Sequence, residues 1–189
     1  MTRATFIDFE DSFSYNVVQE LSLAGFSVEV VNWKDYEKNP EGNSLLVLGP
    51  GPGHPDDYQS LFFLLKEWLN QKRPLFGVCL GHQIFWRLQG AEVVRSKRPL
   101  HGQKIELLLD QDWRQWLGVE KRIFVQRYNS LAVPSIEGKN FGVFKNFIQD
   151  EEILMTRSSH VISYQFHPES VGTSFRQEFM GVIHSIMAR

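Results

Sequence analysis

Residues 74–86 read PLFGVCLGHQIFW, and this stretch decides the fold. Pro74–Val78 is short and apolar, which predicts a strand buried on both faces. Leu80–Leu88 predicts a helix that starts at once. The turn between them, Gly77-Val78-Cys79-Leu80-Gly81, has the form Gly-x-nucleophile-x-Gly, with cysteine where a serine often stands. Glycines suit a turn so tight that flanking side chains would clash, and the central residue is expected to be strained. A helix N-terminus behind Cys79 carries partial positive charge and favours a thiolate, the nucleophilic form of cysteine. The Leu80 N–H is placed to donate to an oxyanion developing beside Cys79. A free cysteine is also often just a small buried apolar side chain, so the turn alone leaves both readings open.

Outward from this turn the pattern repeats. Ala4–Asp8, Ser27–Val31 and Ser44–Leu48 predict further strands. Ser12–Ala24 and Tyr58–Asn70 carry apolar residues at helical spacing. The stretch Glu37–Asn43 leaves little room for a helix before the third strand. Alternation of strand and helix implies an α/β fold with a doubly wound, mostly parallel central sheet flanked by helices. The second half differs. Gln103–Leu109, Arg122–Gln126, Phe141–Phe147, Ile153–Arg157 and Val161–Phe166 predict strands with short connections, a mixed or antiparallel extension of the sheet. A helix over Ser174–Met187 closes the chain.

The 189 residues suit one domain, 1–189. A net charge of −2 gives no basic surface for nucleic acid or for an anionic membrane. A lone cysteine forbids an internal disulfide, and the N-terminus lacks the apolar run of a signal peptide, so a cytoplasmic location is expected. No apolar stretch approaches the length of a membrane span.

A cysteine nucleophile needs a base, and the base needs an orienting partner. Of six histidines, His167 stands out in SYQFHPES (163–170), just past an apolar strand. In extended backbone His167 and Glu169 point the same way, and Pro168 stiffens the pair. A carboxylate there can set the imidazole tautomer and stabilise the imidazolium. Taken alone, the His-x-Glu pair also fits a surface loop. LGPGPGHP (48–55) follows the third strand, and its glycines let backbone N–H groups approach a ligand closely. It lacks the Gly-Lys-Ser/Thr ending of a phosphate loop, and a purely structural turn is the alternative. No His/Asp/Glu spacing forms a metal-ligand set.

Five segments together, LGPGPGHP (48–55), GVCLGHQ (77–83), QFHPES (165–170), DFEDSF (8–13) and RYNSL (127–131), resemble the class I (triad) glutamine amidotransferases. Within them the chain is similar to the glutaminase subunits of anthranilate synthase and aminodeoxychorismate synthase. The resemblance implies the flavodoxin-like fold of that family. It implies Cys79 as nucleophile, His167 as general base and acid, and Glu169 as third triad member. It implies an oxyanion hole from the backbone N–H groups of Gly51 and Leu80. Glutamine would be bound by Gly51, Pro52, Gly53, Gln83, Ser130 and Leu131. Gln83 lies one helical turn beyond Cys79, so it can face the same cleft. The implied partners are L-glutamine and a separate chorismate-binding synthase chain. No cofactor is implied in this chain, and Mg²⁺ belongs to the partner. Asn129 departs from the family's usual Tyr-His-Ser-Leu. Rival readings are a stand-alone γ-glutamyl cysteine hydrolase, a non-catalytic subunit of the same fold, and the amidotransferase subunit of another biosynthetic complex.

Overall fold

The computed structural model describes residues 2–40, 42–135 and 143–187. Strands and helices alternate through the first half: β1 (Thr2–Asp8), α1 (Ser14–Leu23), β2 (Phe26–Asn32), α2 (Trp33–Lys38), β3 (Leu45–Leu48), α3 (Phe62–Asn70), β4 (Leu75–Val78) and α4 (Leu80–Leu88). The second half adds β5 (Val94–Arg95), β6 (Gln103–Leu107), α5 (Gln111–Leu117), β7 (Ile123–Arg127), β8 (Leu131–Ala132), β9 (Lys145–Gln149), β10 (Glu152–Arg157), β11 (Val161–Tyr164) and α6 (Arg176–Gly181).

The central sheet has seven strands in the order β2-β1-β3-β4-β11-β10-β9. From β2 to β11 the neighbours are parallel, while β10 and β9 join antiparallel. The mostly parallel sheet with antiparallel strands is as expected, but the strands expected at Gln103–Leu109 and Arg122–Gln126 do not extend it: they are β6 and β7, which pair with each other instead. Two pairs stand outside it, β6 with β7 and β5 with β8, both antiparallel.

Burial on both faces explains the apolar strands. Leu45 and Val47 of β3 join one core with Val17, Leu21, Phe76 and Phe179. Leu46 and Leu48, pointing the other way, join a second core with Leu65, Trp68, Leu75 and Phe85. Helices α1 and α6 therefore cover one face, and α3 and α4 the other.

The structure corrects several elements. A six-residue helix, α2, does form between β2 and β3, because the Asn32 side chain accepts the Lys34 N–H as a cap and Tyr36 is buried. The helix expected from Tyr58 starts as a 3₁₀ turn over Pro55–Leu61, capped by His54 and Asp57. The last helix is α6 followed by a 3₁₀ turn over Val182–Ile186. The strand expected at Phe141–Phe147 is β9; residues 141 and 142 lie outside the described residues.

Parallel pairing sends the C-terminal ends of β3, β4 and β11 to one edge, with Leu48 level with Gly77 and Tyr164 with Val78. Beside β3 and β1 the order of strands reverses, the place where open α/β sheets leave a crevice for ligands. The turn after β4 fits only because two residues lack side chains. A Cβ on Gly81 would lie 2.1 Å from the Leu48 carbonyl oxygen, and one on Gly77 would lie 2.9 Å from the Gly81 carbonyl. Gly81→Ala should therefore destabilise the fold by about 3 kcal/mol, read as a lower urea midpoint. An unchanged midpoint would mean that α4 does not pack this closely on β3.

Candidate active site

Cys79 joins β4 to α4 with φ 51° and ψ −101°, a conformation rare for a residue with a side chain. Such strain costs about 1–3 kcal/mol and persists only where the surroundings over-determine it. Here they do. The Cys79 N–H donates to the Tyr164 carbonyl at 2.8 Å, and the Cys79 carbonyl accepts from the Gln83 N–H at 3.1 Å. The turn is thereby pinned to β11 on one side and to α4 on the other. Leu80 opens α4, where N–H groups have no intrahelical acceptor.

The glycine loop after β3 leans on this turn. The Gly81 N–H donates to the Gly49 carbonyl at 3.2 Å. A Cβ on Gly51 would come within 2.5 Å of both Leu80 and Phe9 side chains, so only glycine fits there. Tyr58 Oη donates to the Pro52 carbonyl at 3.0 Å, and the His54 N–H to Asp57 at 2.7 Å. The loop is braced at both ends, and its backbone is held beside Cys79.

His167 follows β11, the strand next to β4. Its N–H donates to the Gln126 carbonyl at 3.0 Å, and its own carbonyl accepts from Thr173 Oγ1 at 2.7 Å. The His167 ring hydrogen-bonds Glu169 through Nδ1 at 2.6 Å and also engages the Cys79 side chain. Both His167 and Glu169 are 2% exposed. Glu169 Oε2 has no hydrogen-bond partner among the described residues, so the bond from Oε1 to His167 orients the carboxylate. Burial opposes a charge on His167. The Cys79 side chain, by charge and by hydrogen bond, and the Glu169 carboxylate outweigh that and hold the imidazole well above its ordinary value. The surface-loop alternative for the His-x-Glu pair is excluded.

The cleft over these residues has a volume of about 420 Å³ and is lined by Gly51, Pro52, Gly53, Cys79, Gln83, Tyr128, Asn129, Ser130 and Leu131. All six residues read from the sequence as glutamine-binding are thus together beside Cys79. Leu131 is held by β8 against β5. Gln83 donates both amide hydrogens, to the Leu131 carbonyl at 3.0 Å and to Gln165 Oε1 at 3.1 Å. That leaves its Oε1 as an acceptor, fit for an ammonium group rather than a carboxylate.

Other residues escaped the sequence reading. Tyr128 sets its ring edge-on to His167 at 5.0 Å, and Phe13 packs on both at 4.9 and 5.3 Å. The DFEDSF segment thus reaches the base, braced by Ser14 Oγ donating to Asp8 at 2.6 Å. Gln126 takes hydrogen bonds from Ser170 and from the Gly172 N–H, fastening the loop after Glu169. Gln165 is fully buried next to Cys79. The one available signal was a polar residue near the end of the apolar segment VISYQF (161–166). His82 takes no part: it is buried, bonded to Ser163 and the Ile153 carbonyl, and pushed down to about 3 by burial, so it is neutral. Among the described residues no three His, Cys, Asp or Glu side chains cluster as metal ligands.

This arrangement can perform acyl transfer. A buried cysteine and histidine with an orienting carboxylate face a cleft rimmed by the glycine loop.

Residues 5–183 match the family described as glutamine amidotransferase class-I. The chain is 33% identical over 186 residues to anthranilate synthase component 2, pyocyanine specific, of Pseudomonas aeruginosa, covering 94% of this chain and 90% of that protein. It is 35% identical over 182 residues to aminodeoxychorismate/anthranilate synthase component 2 of Bacillus subtilis, covering 92% and 91%. Its fold is that of a glutamine amidotransferase from Thermotoga maritima, with a TM-score of 0.67 at 21% identity, over 89% of this chain and 76% of that one.

If the charge on His167 depends on the thiolate, removing the sulfur should lower the titration of the ring. In Cys79→Ser the imidazole proton resonance, followed by NMR, should titrate at lower pH than in the unaltered chain, and Glu169→Gln should shift it the same way. A ring that titrates unchanged in Cys79→Ser would rule out the ion pair. The sign for stability follows: with its folded value raised, His167 contributes stability that is full below the unfolded histidine value and is lost as pH rises through the folded one.

Proposed function

Because the chain belongs to the class I glutamine amidotransferase family, we propose that it is the glutaminase subunit of a chorismate-using synthase, with residues 1–189 forming one amidotransferase domain. The observation that supports this most directly is the cleft that gathers Gly51, Gln83 and Leu131 around Cys79, with the buried His167–Glu169 pair behind it.

L-Glutamine enters side chain first, its α-ammonium meeting Gln83 Oε1. The Cys79 sulfur attacks the γ-carbonyl carbon. The carbonyl oxygen becomes an oxyanion and takes N–H groups from Gly51 and Leu80, each contributing about 3 kcal/mol to the transition state. Imidazolium His167 gives its proton to the departing nitrogen, and ammonia leaves. A γ-glutamyl thioester remains on Cys79. Neutral His167 then takes a proton from water as the water attacks the thioester. Glutamate departs and the thiolate is restored. Glu169 keeps the ring in one tautomer throughout. The half-reaction needs no cofactor.

Ammonia goes to a separate synthase chain, which binds chorismate with Mg²⁺ and makes anthranilate or 4-amino-4-deoxychorismate. Val171, two residues beyond Glu169, is 91% exposed, which fits a face that a partner covers. A cytoplasmic location fits the lone cysteine; no helix among the described residues is long and apolar enough to cross a membrane.

Reconstitution with candidate synthase chains, chorismate and either glutamine or ammonium tests this. Cys79→Ser should abolish product formation from glutamine and leave formation from ammonium intact. Glutamine use by Cys79→Ser at the normal rate would end the assignment, and the identity of the product distinguishes the two pathways.

A further inference from the structure

A line of buried polar groups runs from the far side of the cleft to the Cys79 sulfur. Ser96 Oγ and Arg127 Nη2 both donate to Glu152, and Arg127 and Glu152 form a buried ion pair, 1% and 4% exposed. Arg127 Nε donates to Asn129 Oδ1 at 3.0 Å. Asn129 Nδ2 donates to the Leu131 carbonyl at 2.8 Å. The same carbonyl accepts from Gln83 Nε2, whose second hydrogen goes to Gln165 Oε1. Gln165 Nε2 then donates to Cys79 Sγ at 3.8 Å.

Side-chain amides are nearly symmetric in shape, so their neighbours decide which end faces where. Here every choice is forced. A guanidinium can only donate, so Asn129 must present oxygen to it and nitrogen to Leu131. A carbonyl can only accept, so Gln83 must present nitrogen to it. Gln83 then offers a second hydrogen to Gln165, which must answer with oxygen and turn its own N–H groups toward the sulfur.

We propose that Gln165 donates an N–H to the Cys79 thiolate, and that Asn129 is a positioning residue which, by anchoring the Leu131 peptide, keeps Gln83 and Gln165 turned that way. The inference deepens the glutaminase reading and rests on it for the substrate alone. The reactivity of the thiol can be read without glutamine.

The chain has a single cysteine, so alkylation by iodoacetamide reports on Cys79 alone. Rates on the intact chain from pH 5 to 9 are compared for Gln165→Met, Asn129→Asp and the double variant. Asn129→Asp keeps an acceptor for Arg127 but removes the donor to Leu131. Gln165→Met should alkylate about tenfold more slowly at pH 7, with its profile displaced to higher pH, the loss of one hydrogen bond to an anion. Asn129→Asp should move the same way by about threefold. The double variant should match Gln165→Met, because both act through one contact. Asn129→Ala, which cuts the link without adding charge, carries the same expectation should Asn129→Asp not fold. A network that merely held the fold together would leave the profile in place. Profiles matching the unaltered chain in both single variants, or a double variant slowed by the product of the two, would overturn the inference. Displaced profiles in a chain that supports no synthase with glutamine would overturn the proposed function and leave this inference standing.

Discussion

Gly81 lets the first turn of α4 come so close to β3 that a single methyl group would meet the Leu48 carbonyl oxygen at 2.1 Å. Much of the site follows from that approach. It allows the Gly81 N–H to bond the Gly49 carbonyl, which ties the glycine loop to the cysteine turn. It lays Leu80 against Gly51, where again only hydrogen fits. Cys79, caught between β11 and α4, must then adopt a positive φ. The local strain is met by packing on both faces of the sheet, which the turn itself could not supply.

A parallel sheet has a second consequence. Its strands end on one edge in register, so the loops after β3, β4 and β11 are neighbours although they are far apart in the chain. The glycine loop, the cysteine and the histidine arrive from those three loops. The segment after β1 arrives beside them and brings Phe13 against the histidine ring. Burial then changes their chemistry. Out of water, a lone imidazolium is costly, yet the sulfur on one side and Glu169 on the other hold the charge in place. The same seclusion keeps His82, in the first turn of α4, neutral: burial disfavours its charged form and Arg127 adds to that.

Polar groups that looked incidental in sequence form an ordered set. Asn129 stands where the resembled family has histidine, and its side chain is turned inward, bridging Arg127 and the Leu131 carbonyl. Gln126 fastens the loop after the triad from a strand outside the central sheet. Spacing could weigh neither: Gln126 meets partners more than forty residues away, and Asn129 bridges two near neighbours only because β7 and β8 turn Arg127 and the Leu131 carbonyl toward it.

The sequence by itself determined the alternation of strand and helix in the first half, the tight turn at Cys79, and the candidate partners His167 and Glu169. Each rests on local constraints: apolar period, glycine where no Cβ fits, and alternation along an extended backbone. It misjudged α2, whose start depends on one cap, and it could not show that β6–β7 and β5–β8 stand apart from the main sheet. Tertiary structure alone decided that Gln165 lies against the sulfur, that Gln83 donates to both the Leu131 carbonyl and Gln165, and that a buried ion pair stands at the end of their hydrogen-bond chain. The physical reason is that a hydrogen bond assigns donor and acceptor only between groups already in contact. Those contacts join strands and loops distant in sequence, and the fold must exist before they do.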